Sequence, residues 1–252
     1  MDPSKPVQGE ALSLPDLAGM HYIEVLKTFH HELRPQNYLE IGTATGDSLV
    51  FVTCPTIAID PEFHLRPDAL KGKPVCALYQ MMSDRFFESH DPKTILGGPV
   101  EMAFLDGMHR CEFLLRDFIN VERHCKRNSV IFIHDCVPVE TLIADRVNRQ
   151  HSIESHRTGW WIGDVWRTLL MLKSRRPDLR ITVLDAFPTG LACITNLDQS
   201  SRILSRDYAA IVDEMLSWSL EDIGLAEYHR MINVEPTSVA DSYEKITLRF
   251  WL

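Results

Sequence analysis

Asp106, His109 and Asp135 are the residues of this chain best placed to do chemistry. They stand in two short signatures, Phe104-Leu105-Asp106-Gly107-Met108-His109 and Ile131-Phe132-Ile133-His134-Asp135, each an apolar run that ends in polar side chains. If both runs are strands of one parallel sheet, both acids arrive at its carboxyl edge, where open α/β folds bind ligands. Two carboxylates brought together there repel each other unless a cation lies between them. The pair therefore predicts a divalent metal, and oxygen ligands point to magnesium or manganese over zinc. His109, three residues past Asp106, can project toward the same place. A neutral imidazole is the side chain best poised to accept a proton near pH 7, and a hydroxyl beside a metal gives up its proton more easily.

A second constellation lies upstream, in Asn37-Tyr38-Leu39-Glu40-Ile41-Gly42-Thr43-Ala44-Thr45-Gly46-Asp47-Ser48. A dinucleotide turn needs G-x-G-x-x-G, whose second glycine admits pyrophosphate and whose third allows tight helix packing. Counted from Gly42, those places hold Ala44 and Asp47, so the fingerprint fails. No lysine followed by Ser or Thr makes it a phosphate loop either. What remains is Glu40-x-Gly42-x-x-x-Gly46-x-Ser48. An acid beside the turn repels a pyrophosphate but accepts a hydrogen bond from an ammonium group or its water, and S-adenosylmethionine carries an ammonium and no phosphate. About 20 residues on, Ile57-Ala58-Ile59-Asp60 ends a second apolar run with a carboxylate suited to both ribose hydroxyls.

These residues reach one site only if the segments between them are strands and covering helices. Apolar runs at 37–41, 56–60, 75–79, 101–105 and 129–134 alternate with helical or loop-like stretches, the pattern of a mostly parallel sheet. Leu17, Met20, Ile23, Val25, Leu26 and Phe29 have helical spacing over 17–33, and Pro35 closes that helix. A second amphipathic helix is expected over 110–125. Residues 137–163 are polar in the middle and end in Trp160-Trp161, which predicts an active-site lid. Asp164 is placed to cap a helix from Val165 to about Lys173. Strands near 180–185 and 190–195 flank Phe187-Pro188-Thr189-Gly190 as in a hairpin; a helix follows near 204–218, and the chain ends in the β-prone Ile-Thr-Leu-Arg-Phe-Trp-Leu. No repeat or low-complexity tract divides residues 1–252. One domain is expected, with a polar leader and helix over 1–34 and the lid over 137–163.

Composition narrows the function classes. With 26 basic against 35 acidic residues, the formal charge of −9 argues against a nucleic-acid partner. The compact basic run Lys173-Ser174-Arg175-Arg176 falls at a predicted helix end, where it complements the dipole. Six cysteines without a C-x-x-C pair suggest neither a zinc site nor a disulfide framework and fit a reducing cytosol. The N-terminal residues contain no apolar leader, and no stretch reaches the ~18 apolar residues of a membrane span. A cytoplasmic enzyme is expected. An exposed N-terminal helix would let two copies pair, but the sequence gives no oligomeric state.

The Glu40-Gly42-Gly46-Ser48 turn followed by the Asp60 strand end resembles the class I S-adenosylmethionine-dependent methyltransferases, over roughly residues 17–197. The E-x-G-x-x-x-G-x-S spacing is similar to that of the catechol O-methyltransferase branch. The resemblance implies an α/β Rossmann-like fold: seven mostly parallel strands in order 3-2-1-4-5-7-6, strand 7 antiparallel, helices on both faces and a lid after strand 5. It assigns Glu40, Gly42, Thr43, Gly46, Ser48, Asp60 and Asp106 to the cofactor and places Ser83 and Asp84 near its adenine. It puts a metal, with magnesium the expected ion, on Asp106, His134 and Asp135, and the general base at His109. His134 stands where that branch has an acid, so it either ligates the metal or only orients Asp135. The D-G-x-H and I-H-D pairing is similar to bacterial O-methyltransferases that act on sugar hydroxyls, macrolide and rhamnosyl enzymes among them. The implied activity is metal-dependent methyl transfer from S-adenosylmethionine to a hydroxyl of a small molecule, with a sugar or a vicinal diol as the expected acceptor. Two alternatives remain: a NAD-type oxidoreductase, which the failed fingerprint disfavours, and a noncatalytic module that binds S-adenosylmethionine alone.

Overall fold

Aliphatic runs buried on both faces build the centre of the sheet. Tyr38–Ile41 (β1) and Thr56–Ile59 (β2) are buried at every position, as expected of parallel strands covered on both sides. The computed structural model describes residues 13–148 and 156–250. The other strands are Cys76–Tyr79 (β3), Val100–Leu105 (β4), Cys125–His134 (β5), Arg180–Leu184 (β6), Leu191–Thr195 (β7) and Val234–Glu235 (β8). The helices up to residue 175 are Tyr22–Leu33 (α1), Ser83–Ser89 (α2), Pro92–Leu96 (α3), Cys111–Glu122 (α4) and Val165–Arg175 (α5). The C-terminal part adds Ile203–Arg206 (α6), Tyr208–Ser217 (α7), Leu220–Ile223 (α8), Leu225–Ile232 (α9) and Tyr243–Phe250 (α10).

The eight strands lie in order β3-β2-β1-β4-β5-β7-β6-β8. β7 runs antiparallel to β5 and β6, and every other pairing is parallel. The expected seven-strand order holds, with a two-residue eighth strand added beyond β6. One apolar layer joins the sheet to α4 and α5 through Leu114, Phe118, Trp166 and Leu169. The opposite layer joins it to α1 and α10, where Phe29 meets Phe132 edge-on at 4.9 Å and Phe250 at 5.2 Å. Because the chain reverses direction in space at β1 and β4, their carboxyl ends open the crevice in which the site forms.

Several elements depart from the sequence reading. The first helix begins at Tyr22 and not at 17: Leu14 and Gly19 bond instead to the backbone of Val139 and Asp185, and the His21 ring accepts from Ile23 N to start the helix. The helix near 204–218 is broken at Asp207 into α6 and α7. The C-terminal segment is helical, because Ile246 and Phe250, four residues apart, are its buried positions, and that period outweighs β-propensity. Asp164 precedes α5 without capping it; its side chain turns inward to Cys111 N, Arg146 and Arg167.

The region read as a lid is mixed. Val137, Val139, Glu140, Thr141 and Ile143 are buried, whereas residues 149–155 lie outside the described residues, as do 1–12 of the leader and 251–252. All six cysteines are free. Among the described residues, no helix is long and apolar enough to cross a membrane.

Candidate active site

The turn after β1 is held open by glycine. Gly42 has φ +88°, and a Cβ there would stand 2.0 Å from the Asp106 carbonyl oxygen, so the ends of β1 and β4 approach as closely as only glycine allows. Gly46, at φ +75°, fits the turn against Ala69 and Leu65. Asp60 ties the turn to β2: its Oδ2 accepts from Ala44 N and its Oδ1 from Glu62 N, both at 2.8 Å. Beneath the turn Glu40 is fully buried, with Oε2 accepting from the Tyr38 hydroxyl at 2.8 Å. Burial raises its pKa to about 7 against the opposing pull of the Tyr38, Ser48 and Thr43 hydroxyls. Those last two lie close by, yet neither Glu40 Oε1 nor Thr43 Oγ1 has a partner of hydrogen-bond geometry. Two orphaned buried oxygens at a glycine turn are what a ligand ammonium, or its water, would satisfy.

A cavity of about 530 Å³ opens at this edge, lined by Gly42, Ala44, Asp60, Ser83 and Asp106. Glu40, Thr43, Gly46 and Ser48 are not among the residues that line it. Asp84 does not reach it: its carboxylate pairs with Arg116 at 2.7 Å, because α2 turns that residue toward α4. A second cavity, about 680 Å³, lies on the other side of the strand ends, between the first turn of α1 and the Trp160-Trp161 segment. Asp106, His109 and Trp161 line both.

At this shared wall Asp106, His134 and Asp135 bring three ligand atoms within 4.8 Å of one another. Asp135, at φ +57°, adopts the left-handed conformation that ends β5 and takes a 2.5 Å hydrogen bond from the Thr189 hydroxyl. His134 stacks on Tyr22 with ring centroids 3.8 Å apart and directs Nδ1 to Asp106 Oδ1 at 3.2 Å. His109 Nε2 lies 3.2 Å from Asp135 Oδ2 and 3.7 Å from Asp106 Oδ1. Its Nδ1 lies 2.9 Å from the Trp161 carbonyl, which can only accept; Nδ1 therefore carries a proton and Nε2 is the atom turned to the acids.

Burial opposes the charged form of His109, but Asp135 and Asp106 outweigh it and push its pKa up to about 9. His134 is raised for the same reason. Burial disfavours ionised Asp106, yet His134 and His109 hold it well below the usual carboxylate range. Two acids thus sit among groups that become cationic to match them. Mixed carboxylate and imidazole donors converging at this range fit a divalent cation.

Sequence reasoning finds the strand-end acids and His109, and the structure brings them together. It misses Tyr22 and Thr189, which reach the site from α1 and the β6–β7 turn, and Asp117, a carboxylate of α4 on the wall of the first cavity. The one sequence signal for it is its spacing, three and four residues from Leu114, Phe113 and Val121 on the apolar face of α4.

Residues 39–136 match the sequence model of a family described as a methyltransferase domain. No curated protein matches the chain. Among solved structures, a protein from Klebsiella pneumoniae assigned as an O-methyltransferase is similar with a TM-score of 0.51 at 14% identity, over 70% of this chain and 80% of that one. An SAH-bound methyltransferase of Podospora anserina is similar with a TM-score of 0.50 at 12% identity, over 70% and 78% of the two chains. At such identities the likeness is one of fold, and the strand order agrees with it. The family match falls on the glycine turn, both acid-bearing strands and the helix between them, so it is over these elements that the chain is similar to a methyltransferase domain.

Proposed function

We propose that this protein is a metal-dependent O-methyltransferase acting on a small hydroxylated molecule. S-adenosylmethionine would occupy the cavity beside Gly42 and Asp60, and the acceptor the cavity beside Tyr22 and Trp160. One observation carries the reading: Asp106, His109 and Trp161 form a wall common to both cavities, so a methyl donor on one side and a hydroxyl on the other meet there.

In the reaction the acceptor oxygen forms a bond to the methyl carbon while the carbon–sulfur bond breaks. The sulfonium becomes a neutral thioether, and the hydroxyl proton passes to His109 Nε2. The Trp161 carbonyl holds the His109 tautomer that leaves Nε2 available. Asp106, His134 and Asp135 would hold the metal, with Thr189 fixing Asp135 and Tyr22 fixing the His134 ring. A bound divalent cation supplies a Lewis acid that lowers the hydroxyl pKa. With Asp135 and Asp106 engaged as ligands, His109 would lose the partners that raise its pKa, leaving Nε2 free to accept the proton. Two carboxylates and one imidazole accommodate manganese as readily as magnesium.

The test is calorimetric titration with S-adenosylmethionine and S-adenosylhomocysteine, followed by transfer of labelled methyl to a panel of hydroxylated acceptors with Mg²⁺, Mn²⁺ or EDTA. Binding with metal-dependent transfer to oxygen is expected. Failure of folded protein to bind either nucleoside removes the cofactor reading, and transfer undiminished by EDTA removes the metal.

A further inference from the structure

We propose that Asp117 reads the nucleobase of the cofactor: its Oδ2 accepts the exocyclic N–H of an adenine seated beside Phe113, and so selects a 6-amino over a 6-oxo purine. This rests on the cofactor reading above and deepens it.

Asp117 is 3% exposed on a helix whose neighbouring side chains, Leu114 and Phe118, pack on the sheet. A carboxylate in such a place is costly unless something pairs with it. One oxygen is accounted for, since Ser83 Oγ donates to Oδ1 at 2.5 Å. Oδ2 has no hydrogen-bond partner among the described residues, and it lies 3.7 Å from where a Cβ on Gly107 would stand, on the wall of the cofactor cavity. The adjacent cation does not neutralise it: Arg116 is forked onto both oxygens of Asp84 and bonded to the Tyr208 hydroxyl.

The surroundings are those of a flat aromatic ring. Phe113, four residues before Asp117 and so on the same helix face, lines the cavity. Arg116 covers Phe113 with its guanidinium 4.5 Å from the ring centroid. Met81, Met82 and Met108 complete an apolar, adaptable slot. Asp60 stands at the end of β2 in the same cavity. An acceptor for ribose hydroxyls and an acceptor at the edge of an apolar slot are thus both present. Burial raises the Asp117 pKa to about 7 despite the Ser83 hydrogen bond, and a ligand N–H at Oδ2 would stabilise the ionised form that accepts it. The 6-amino group of adenine provides one, whereas the 6-oxo group of hypoxanthine would set lone pair against lone pair.

Asp117→Asn provides the test because Ser83 orients it. With Ser83 Oγ holding the amide oxygen, the amide nitrogen faces the cavity and becomes a donor. Calorimetry would compare S-adenosylhomocysteine with its deaminated analogue S-inosylhomocysteine on wild type and variant. Wild type is expected to prefer the adenosyl ligand by about tenfold or more, and Asp117→Asn to lose or invert that preference by weakening the adenosyl and strengthening the inosyl complex. Asp117→Ala is a second variant, expected to bring the two ligands within a few-fold of each other. A merely structural Asp117 would weaken both ligands alike. An unchanged preference in either variant overturns the proposal while leaving the cofactor site intact; a wild type that binds neither ligand overturns the cofactor reading and this inference with it.

Discussion

His109 is held at three points: its Nδ1–H donates to the Trp161 carbonyl, and its Nε2 faces Asp135 and Asp106. Replacing it with alanine removes the proton acceptor but none of the glycine turn. We expect His109→Ala to lower turnover by about 10²–10⁴ while S-adenosylhomocysteine affinity stays nearly unchanged, checked by methyl-transfer assay and calorimetry; an unaltered rate would reassign the base. Glu40 gives a prediction about stability. Its folded pKa of about 7 lies above the ordinary carboxyl value of 4.5, so its contribution is fully present below pH 4.5 and is lost as pH rises through 7. At pH 8 the ionised group costs ~3 kcal/mol, because each tenfold change in proton affinity is worth ~1.4 kcal/mol. Denaturant unfolding of the ligand-free protein should show Glu40→Gln gaining on wild type between pH 5 and pH 8, with the Tyr38 hydroxyl still bonded to the amide oxygen; equal slopes with pH would refute the assignment. The strand-end acids were legible in sequence because an apolar run ending in a carboxylate predicts where it points. Tyr22, Thr189 and Asp117 were not, since their place in the site depends on how α1, the β6–β7 turn and α4 dock.

At the scale of elements, β1 to β7 were readable to within one or two residues, except that β5 begins at Cys125 and not at 129; the two-residue β8 was not read, and the β-prone C-terminal segment is helical. Burial on both faces leaves little freedom in a parallel strand. Helix limits were less legible wherever a tertiary contact competes, as the Gly19–Asp185 contact does before α1. The same competition operates after the Trp160-Trp161 segment, where the chain clasps the turn that follows β4. Gly163 has φ +59°, a Cβ on it would lie 1.8 Å from the His109 carbonyl oxygen, and Asp164 N donates to that same oxygen. Arg146, in the segment after β5, fastens the clasp by pairing with Glu112 and Asp164. Gly163→Ala should therefore push His109 off its carboxylates. A loss of about 1–3 kcal/mol in denaturant unfolding is expected, together with a drop in kcat larger than any change in cofactor affinity. Wild-type kinetics in that variant would show that the clasp does not position the base.

At the scale of the molecule, the site is braced from the C-terminus. Phe250 of α10 packs on Phe29 of α1, and Tyr22 in the first turn of α1 stacks on His134. Phe250→Ala should cost about 3–5 kcal/mol in global unfolding. It should also weaken metal binding, measured by calorimetry with Mn²⁺, more than it weakens binding of S-adenosylhomocysteine; an equal effect on both would mean that the brace serves only the core. The wall of Asp106, His109 and Trp161 has a consequence of its own. Because the same three side chains face both cavities, filling one fixes the geometry met by a ligand in the other. The two affinities are then linked, and the factor by which cofactor tightens or loosens the acceptor must equal the factor by which acceptor acts on cofactor. A heterotropic coupling of that kind would favour an obligatory order of arrival and would slow escape of whichever molecule entered first.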